Sequence, residues 1–207
     1  MPKIVPIVEG DGEVEAVPRL LGKMLSGMGR YDLPIARPKN ANGRKNLDKP
    51  GGLESFVELS WRERDCGATL ILVDADKECP IELAGSYTRR IQAMGIRFSV
   101  AVAKCEYEAW FLASLTSIAG RDWQGRTGLP EGLEYPGEVE AIVGVKGWLD
   151  RQLPKGHSYQ PTQDQAILTA MLDAGLARSR SRSFRRLCHA LEQAVEAIDT
   201  GQVIVTP

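Results

Sequence analysis

Three apolar runs in this 207-residue sequence each end in acid. Ile4-Val-Pro-Ile-Val8 leads into Glu9 and then Glu13. Leu70-Ile-Leu-Val73 leads into Asp74-Ala-Asp76, and Val100-Ala-Val-Ala103 into Lys104-Cys-Glu106-Tyr-Glu108. If the runs are neighbouring strands of a parallel sheet, their carboxyl ends share one edge, where open α/β folds place their ligands. Six carboxylates would then meet although the chain separates them widely. Like charges at close range repel, and a buried unpaired carboxylate is costly. The cluster therefore needs a counter-charge, a shared proton or a metal. Lys77 and Lys104 are the bases next to these turns, too few for six acids. Oxygen ligands without His or Cys favour Mg²⁺ or Mn²⁺. Glu9, Glu13, Asp74, Asp76, Glu106 and Glu108 are the expected ligands, with Glu106 and Glu108 as alternatives for one position. The plainer reading is that single acids after strands cap helices or complement their dipoles.

The elements that would position these acids are legible as patterns. Residues 3–8 read as a strand despite Pro6, which belongs more naturally on a sheet edge. Gly10 and Gly12 are expected to let the chain turn sharply there. Apolar residues from Val14 to Leu25 recur at helical spacing, predicting a helix from Glu13 to about Met28. Residues 32–36 suggest a short strand and 38–52 a loop. A helix over 53–64 leads to a buried strand over 68–73. Pro80 opens a helix to about Met94, followed by a strand over 96–103 and a helix from near Glu106. The Gly- and Pro-rich stretch 120–137 reads as a surface loop, and 138–198 as helices, clearest over 163–174 and 183–198. The fold class is α/β, a mostly parallel sheet flanked by helices. Residues 1–137 would form the catalytic core and 138–207 a helical extension packed on it.

Composition narrows the class further. The apolar fraction of 43% permits a sizeable core, and no apolar run approaches the length of a membrane span. The N-terminus enters a strand at once, without a signal-peptide pattern. Cys66, Cys79, Cys105 and Cys188 lack metal or disulfide spacing, which points to a reducing cytoplasm. The net charge of −1 conceals two basic stretches. One is the 37–49 segment with Arg37, Lys39, Arg44 and Lys45. The other is Arg178–Arg186, which contains no acid and would place Arg178, Arg182 and Arg185 or Arg186 on one helical face. Both are candidates for phosphate contacts with a nucleic acid. Trp61, Trp110 and Trp148 sit in helical patterns and are assigned to the core.

Glu9-Gly-x-x-Glu13 after a first strand, with Asp74-x-Asp76 after a later one, resembles the Toprim fold of topoisomerases, primases and OLD-family nucleases. Glu106-Tyr-Glu-Ala-Trp-Phe-Leu-Ala113, Tyr159 with Asp164-Gln165, and Arg182-Ser-Phe-Arg-Arg186 are similar to a stand-alone bacterial Toprim-like family. Its members include effectors in anti-phage defence operons, sometimes paired with an ATPase. The resemblance implies a metal-dependent nuclease with a two-metal acidic site. Glu9 would be a metal ligand or general acid/base beside Glu13, Asp74 and Asp76 would bind Mg²⁺, and Glu106 or Glu108 would complete a second site. Lys104 is a candidate for stabilising negative charge on the phosphate. DNA and RNA are both open as substrates, as is a homo-oligomer; a membrane is not expected. The alternatives are a non-catalytic metal-binding regulatory subunit and a Mg²⁺-dependent phosphatase of small molecules.

Overall fold

The computed structural model describes residues 1–126, 128–203 and 205–206. Among these residues, five parallel strands form one sheet in the order β2-β1-β3-β4-β5: β1 Lys3–Val8, β2 Lys39–Asn40, β3 Cys66–Asp74, β4 Phe98–Ala103 and β5 Val205–Thr206. The α-helices of the described residues are α1 Asp11–Gly27, α2 Lys45–Asp48, α3 Gly52–Trp61, α4 Pro80–Ile91, α5 Ala109–Ala113, α6 Val145–Gln152, α7 Pro161–Met171, α8 Ala174–Arg180 and α9 Arg182–Thr200. The α/β class and the parallel sheet with a helical C-terminal part are as expected of a Toprim-like architecture.

Alternation along the central strands builds two cores. Ile4, Val8, Leu70, Leu72, Ala101 and Ala103 face α1, α5 and α9. Ile7, Ile71, Val73, Val100 and Val102 face α3 and α4. Side chains of a strand alternate between faces, so a strand covered on both sides must be apolar throughout. That is why β3 reads as an unbroken apolar run. Trp110 pins α5 to α9: its ring meets Phe184 edge-on at 5.4 Å and its indole N–H donates to Ser183 Oγ at 2.9 Å. Trp110 is fully buried, while Trp61 and Trp148 pack against the cores part-buried.

Pro6 is compatible with its place because its missing donor falls in a gap. On the β2 side, the Ile4 N–H donates to Pro34 O, Ala36 N–H donates to Ile4 O, and Ala41 N–H donates to Val8 O. Pro6 lies between these bonds, where no ladder partner is required.

Several expected boundaries move. Residues 32–36 make only an isolated bridge between Ile35 and Ile4, and the strand comes later, at Lys39–Asn40. Pro34 and Pro38 each lack an amide donor, which interrupts pairing at the earlier stretch. The 38–52 segment carries β2 and α2 rather than being all loop. The helix near Glu106 is shorter and later, leaving Glu106 and Glu108 in the turn before α5. The single basic helix across 178–186 is two helices. Ser181 is extended and caps α9 by accepting from Phe184 N, so Arg178 does not share a continuous face with Arg182 and Arg186. The 120–137 stretch contains no helix or ladder strand among the described residues. Thr127 in that stretch, and Ile204 and Pro207 at the end of the helical extension, lie outside the described residues. Among those described, no helix is long and apolar enough to cross a membrane.

Gly12 has a different task from the expected turn. Neither it nor Gly10 adopts a left-handed backbone. Gly12 lies in the first turn of α1, where a Cβ would stand 2.3 Å from Gln165 Oε1 and 2.8 Å from the Pro161 carbonyl oxygen. The N-terminus of α7 therefore rests directly on the α1 backbone. Gly12→Ala is expected to destabilise the protein by about 2 kcal/mol, as overpacking of a tight contact does. Urea unfolding checks this; a neutral result would mean that α7 does not dock so closely.

Candidate metal centre at the carboxyl edge of the sheet

Parallel pairing brings the ends of β1, β3 and β4 together. Glu9 follows β1, Asp74 is the last residue of β3, and Glu106 and Glu108 lie in the turn after β4. Backbone and side-chain donors fix one oxygen of each inner carboxyl group. Glu9 Oε1 accepts from Asp74 N at 2.9 Å. Glu13 Oε2 accepts from Glu9 N at 2.8 Å and Gly10 N at 3.0 Å, capping α1. Asp74 Oδ1 accepts from Tyr107 N at 2.8 Å. Glu108 Oε1 accepts from the Tyr159 hydroxyl at 2.9 Å and from Gln165 Nε2 at 3.3 Å. Among the described residues the second oxygen of each accepts no hydrogen bond, and Glu108 Oε2 is fully buried in that condition.

The counter-charge is Lys146, the second residue of α6. Its Nζ stands 3.1 Å from Glu106 Oε2 and 3.2 Å from Glu108 Oε2. The second of these is close enough for an ion pair but is not directed as a hydrogen bond. Glu106 also caps α6, accepting from Val145 N at 2.7 Å.

Burial is the dominant force on the protonation of this cluster. It pushes the Glu13 carboxyl up to about 8, with the negative charges of Glu9 and Glu108 adding to the shift. The two N–H donors to Glu13 oppose it without cancelling it. Asp74 is held well above the usual carboxylate range by burial, then by Glu13 and Glu108. Glu108 is raised by burial against the pull of Lys146, and Glu9 by burial against the Asp74 N–H and Arg44. Burial works to lower Lys146, yet Glu108, Asp74 and Glu106 together raise it. The cluster thus holds protons at pH values where exposed carboxylates are ionised.

The six expected ligands divide into two groups. Glu9, Glu13, Asp74 and Glu108 form the inner group, in which Glu13 and Asp74 each feel the charges of Glu9 and Glu108. Asp76 turns outward, two-thirds exposed, with Arg44 3.7 Å away. Glu106 is drawn to α6. Lys104 does not join the cluster: its Nζ donates to the Glu78 carbonyl at 3.3 Å. Lys146 does join it, although no sequence motif marks this lysine. Tyr159 and Gln165 stand out in the sequence only through the family resemblance, yet both touch Glu108.

The basic candidates are similarly divided. Arg44 stands beside the cluster, donating to the Asp74 carbonyl at 2.9 Å and pairing with Asp48 and Glu78. Lys39 is paired with Glu63 at 2.7 Å. Arg178 meets Glu192 at 3.9 Å, and Arg185 donates to the Arg178 carbonyl at 2.8 Å. Arg37, Lys45, Arg182 and Arg186 are exposed and enter no ion pair among the described residues.

Among the described residues, no group of three or more Asp, Glu, His or Cys side chains is arranged to hold a metal ion. Among the described residues an all-protein cage is therefore preformed for neither one metal nor two. The donor chemistry nevertheless fits a single hard cation. Mg²⁺ commonly takes one or two carboxylates and completes its octahedron with water and substrate phosphate. Four carboxyl groups here each keep one oxygen that accepts no hydrogen bond among the described residues, that of Glu108 facing Lys146 as an ion pair.

Lys146→Met tests the electrostatic account without any ligand. Removing the counter-charge is expected to cost about 1–3 kcal/mol at pH 8, less than a fully buried pair because the lysine is 44% exposed. At pH 5.5 the loss should shrink, since the Glu108 carboxyl, raised by burial, is nearer to protonation there than at pH 8. Urea unfolding at both pH values measures the difference; an equal loss at both would remove Lys146 from the cluster's charge balance.

Fold and site together define an α/β protein with a buried acidic centre at the carboxyl edge of a parallel sheet. The chain belongs to a family described as Domain of unknown function (DUF4276), whose model matches residues 8–192. Among solved structures it is similar to the C-terminal region of the Burkholderia pseudomallei OLD protein, at 15% identity and a TM-score of 0.44 over 96% of this chain and 99% of that one. No curated protein matches it.

Proposed function

We propose that this protein is a metal-dependent hydrolase that cuts phosphodiester bonds in a nucleic acid. The observation that carries the reading is the quartet Glu9, Glu13, Asp74 and Glu108, the second and fourth buried and the other two half-buried, each anchored through one oxygen and accepting no hydrogen bond at the other. Folding leaves such groups without partners only at some cost, and functional sites are where that cost is tolerated. The Toprim-like motifs in the sequence point the same way.

In this reading one or two carboxylates from the set Glu9, Glu13, Asp74 and Glu108 hold Mg²⁺ or Mn²⁺, and water and substrate complete the shell. When bound, such an ion supplies Lewis-acid polarisation of the phosphoryl group and a more acidic water. Lys146 balances the carboxylates before substrate arrives and favours added negative charge on the phosphoryl oxygens afterwards. Glu13, a carboxyl raised by burial, can, where it does not itself hold the ion, take the proton of the attacking water or return one to the leaving oxygen. Tyr159 and Gln165 position Glu108 through its other oxygen. Arg44 offsets the charges of the outer acids Asp48 and Asp76 at Glu9 and stands at the rim where a phosphate would approach. Asp76, expected as an inner ligand, belongs to the rim in this scheme, with Arg44 as its partner.

The test is a cleavage screen of single- and double-stranded DNA and of transfer RNA, with Mg²⁺ or Mn²⁺ and with EDTA. Product that requires the ion and vanishes with Asp74→Asn is the expected result. Turnover of an aryl phosphate without action on any nucleic acid would overturn the substrate assignment.

A further inference from the structure

A second feature of the molecule lies beside the acidic centre. Between α4 and α9 the open edge of β4 floors a cavity of about 470 Å³. Its walls are mostly apolar, with Ile81, Val100, Val102 and Ala190 contributing. On one side stand Arg182, Arg186 and His189, at positions i, i+4 and i+7 of α9, and Lys104 closes the end nearest the acids. Arg182 and Arg186 are exposed cations of the second basic stretch and form no ion pair among the described residues. Glu140, also in the wall, is already committed, accepting from Ser181 Oγ and Ser183 N. Glu138 is the remaining acid on the rim.

The floor also carries polar groups. Arg97 and Ala103 turn their carbonyls to β3, accepting from Thr69 and Ala75. Alternation then turns the backbone N–H and C=O of Val100 and Val102 to the opposite edge. Among the described residues β5 pairs with that edge at Phe98 and Ser99. The cavity therefore offers an apolar slot, an alternating row of backbone donors and acceptors, and unpaired cations. Its size falls in the range of small-ligand sites.

We propose that this cavity receives one unpaired nucleotide of the nucleic-acid strand, with the base against the β4 edge and the phosphates on Arg182 and Arg186. A base needs an apolar slot with a few polar groups, and its phosphates need cations; the two occur together here. Lys104 is two residues from Glu106 in the turn after β4, at most roughly 7 Å along the chain, so a strand held in the cavity runs toward the acidic centre. The site selects single strands because a paired base cannot enter. This inference rests on the hydrolase reading for its biological sense, though its test does not require cleavage.

The experiment is fluorescence anisotropy of a fluorescein-labelled single-stranded dodecamer and of its duplex, in EDTA, with DNA and with RNA. Binding of the single strand at least tenfold tighter than the duplex is expected. Arg182→Ala and Arg186→Ala should each weaken it several-fold and reduce the salt slope by about 0.7. Ile81→Glu, a substitution at an exposed lip of the cavity, should weaken it as well. Arg64→Ala, an exposed cation beyond the opposite end of β3, should not. Circular dichroism confirms that each variant is folded. Equal binding of duplex and single strand, or equal harm from Arg64→Ala, would overturn the proposal. If the variants behave as expected but no ion-dependent cleavage exists, the cavity stands and the hydrolase reading falls. If ion-dependent cleavage exists but is insensitive to these variants, the hydrolase reading stands and the cavity falls.

Discussion

Asp74→Asn is expected to reduce ion-dependent cleavage at least a thousandfold while leaving the protein folded. That factor corresponds to about 4 kcal/mol of lost transition-state stabilisation. The substitution keeps the shape and the acceptor for the Tyr107 N–H, because the asparagine carbonyl can replace Oδ1. What it removes is the negative charge at the centre of the quartet, and with it a ligand for a cation. Thermal stability should hold or rise, since a buried carboxyl that repels Glu13 and Glu108 is replaced by a neutral amide. Initial rates and melting temperatures, taken on the same preparations, separate the two effects. A variant that still cleaves at a tenth of the parent rate would show that Asp74 is not at the reacting centre. Asp76→Asn makes an informative companion, because its side chain is exposed and turned toward Arg44. Its loss should be much smaller, tenfold or less.

The second large effect concerns pH. With the ion removed, stability should fall as pH rises from about 5 to 8. The sign follows from Glu13, whose folded carboxyl titrates near 8 and whose unfolded carboxyl titrates near 4.5. Between those values the native state holds a proton that the unfolded chain has released. Raising the pH therefore favours unfolding through this window, and below it the native protein keeps its full advantage. A pK unit is worth about 1.36 kcal/mol, so the swing from this group is on the order of 3–5 kcal/mol. Asp74, Glu108 and Glu9 are raised too and shift the balance in the same direction. Glu13→Gln should be more stable than the parent at pH 8 and nearly equal at pH 5, because the glutamine oxygen still caps α1. Mg²⁺ should raise the melting temperature far more at pH 8 than at pH 5, since protons compete for the same oxygens. Denaturation midpoints across this range, with EDTA and with Mg²⁺, check all three statements. A flat profile, or one that the ion leaves unchanged, would refute the buried acidic centre as a cation site.

The local sequence determined the elements and their polarity. Apolar runs of the right length made β1, β3 and β4, helical spacing made α1, and Pro80 marked the start of α4. Because a parallel sheet sends every strand's carboxyl end to the same edge, the meeting of Glu9, Asp74 and Glu108 was legible from the chain alone. Short pieces were less so: β2 at Lys39–Asn40 exists through bonds to β1 and has no pattern of its own, and Ser181 divides a basic run that looks continuous. The tertiary structure alone decided which acids turn inward. Asp74 and Asp76 are two residues apart, but only Asp74 belongs to β3; the chain then bends, with Asp76 at a φ of 48°, and sends that side chain to solvent. The same holds for Lys146, brought to Glu108 from 38 residues away by the docking of α6. Gly12 is a further case, its lack of a side chain required by α7 and not by its own turn. Charge and burial at a site are sums over all neighbours in space. Chain order dictates which neighbours are local; packing chooses the others, and in this protein those others set the protonation of the acidic centre.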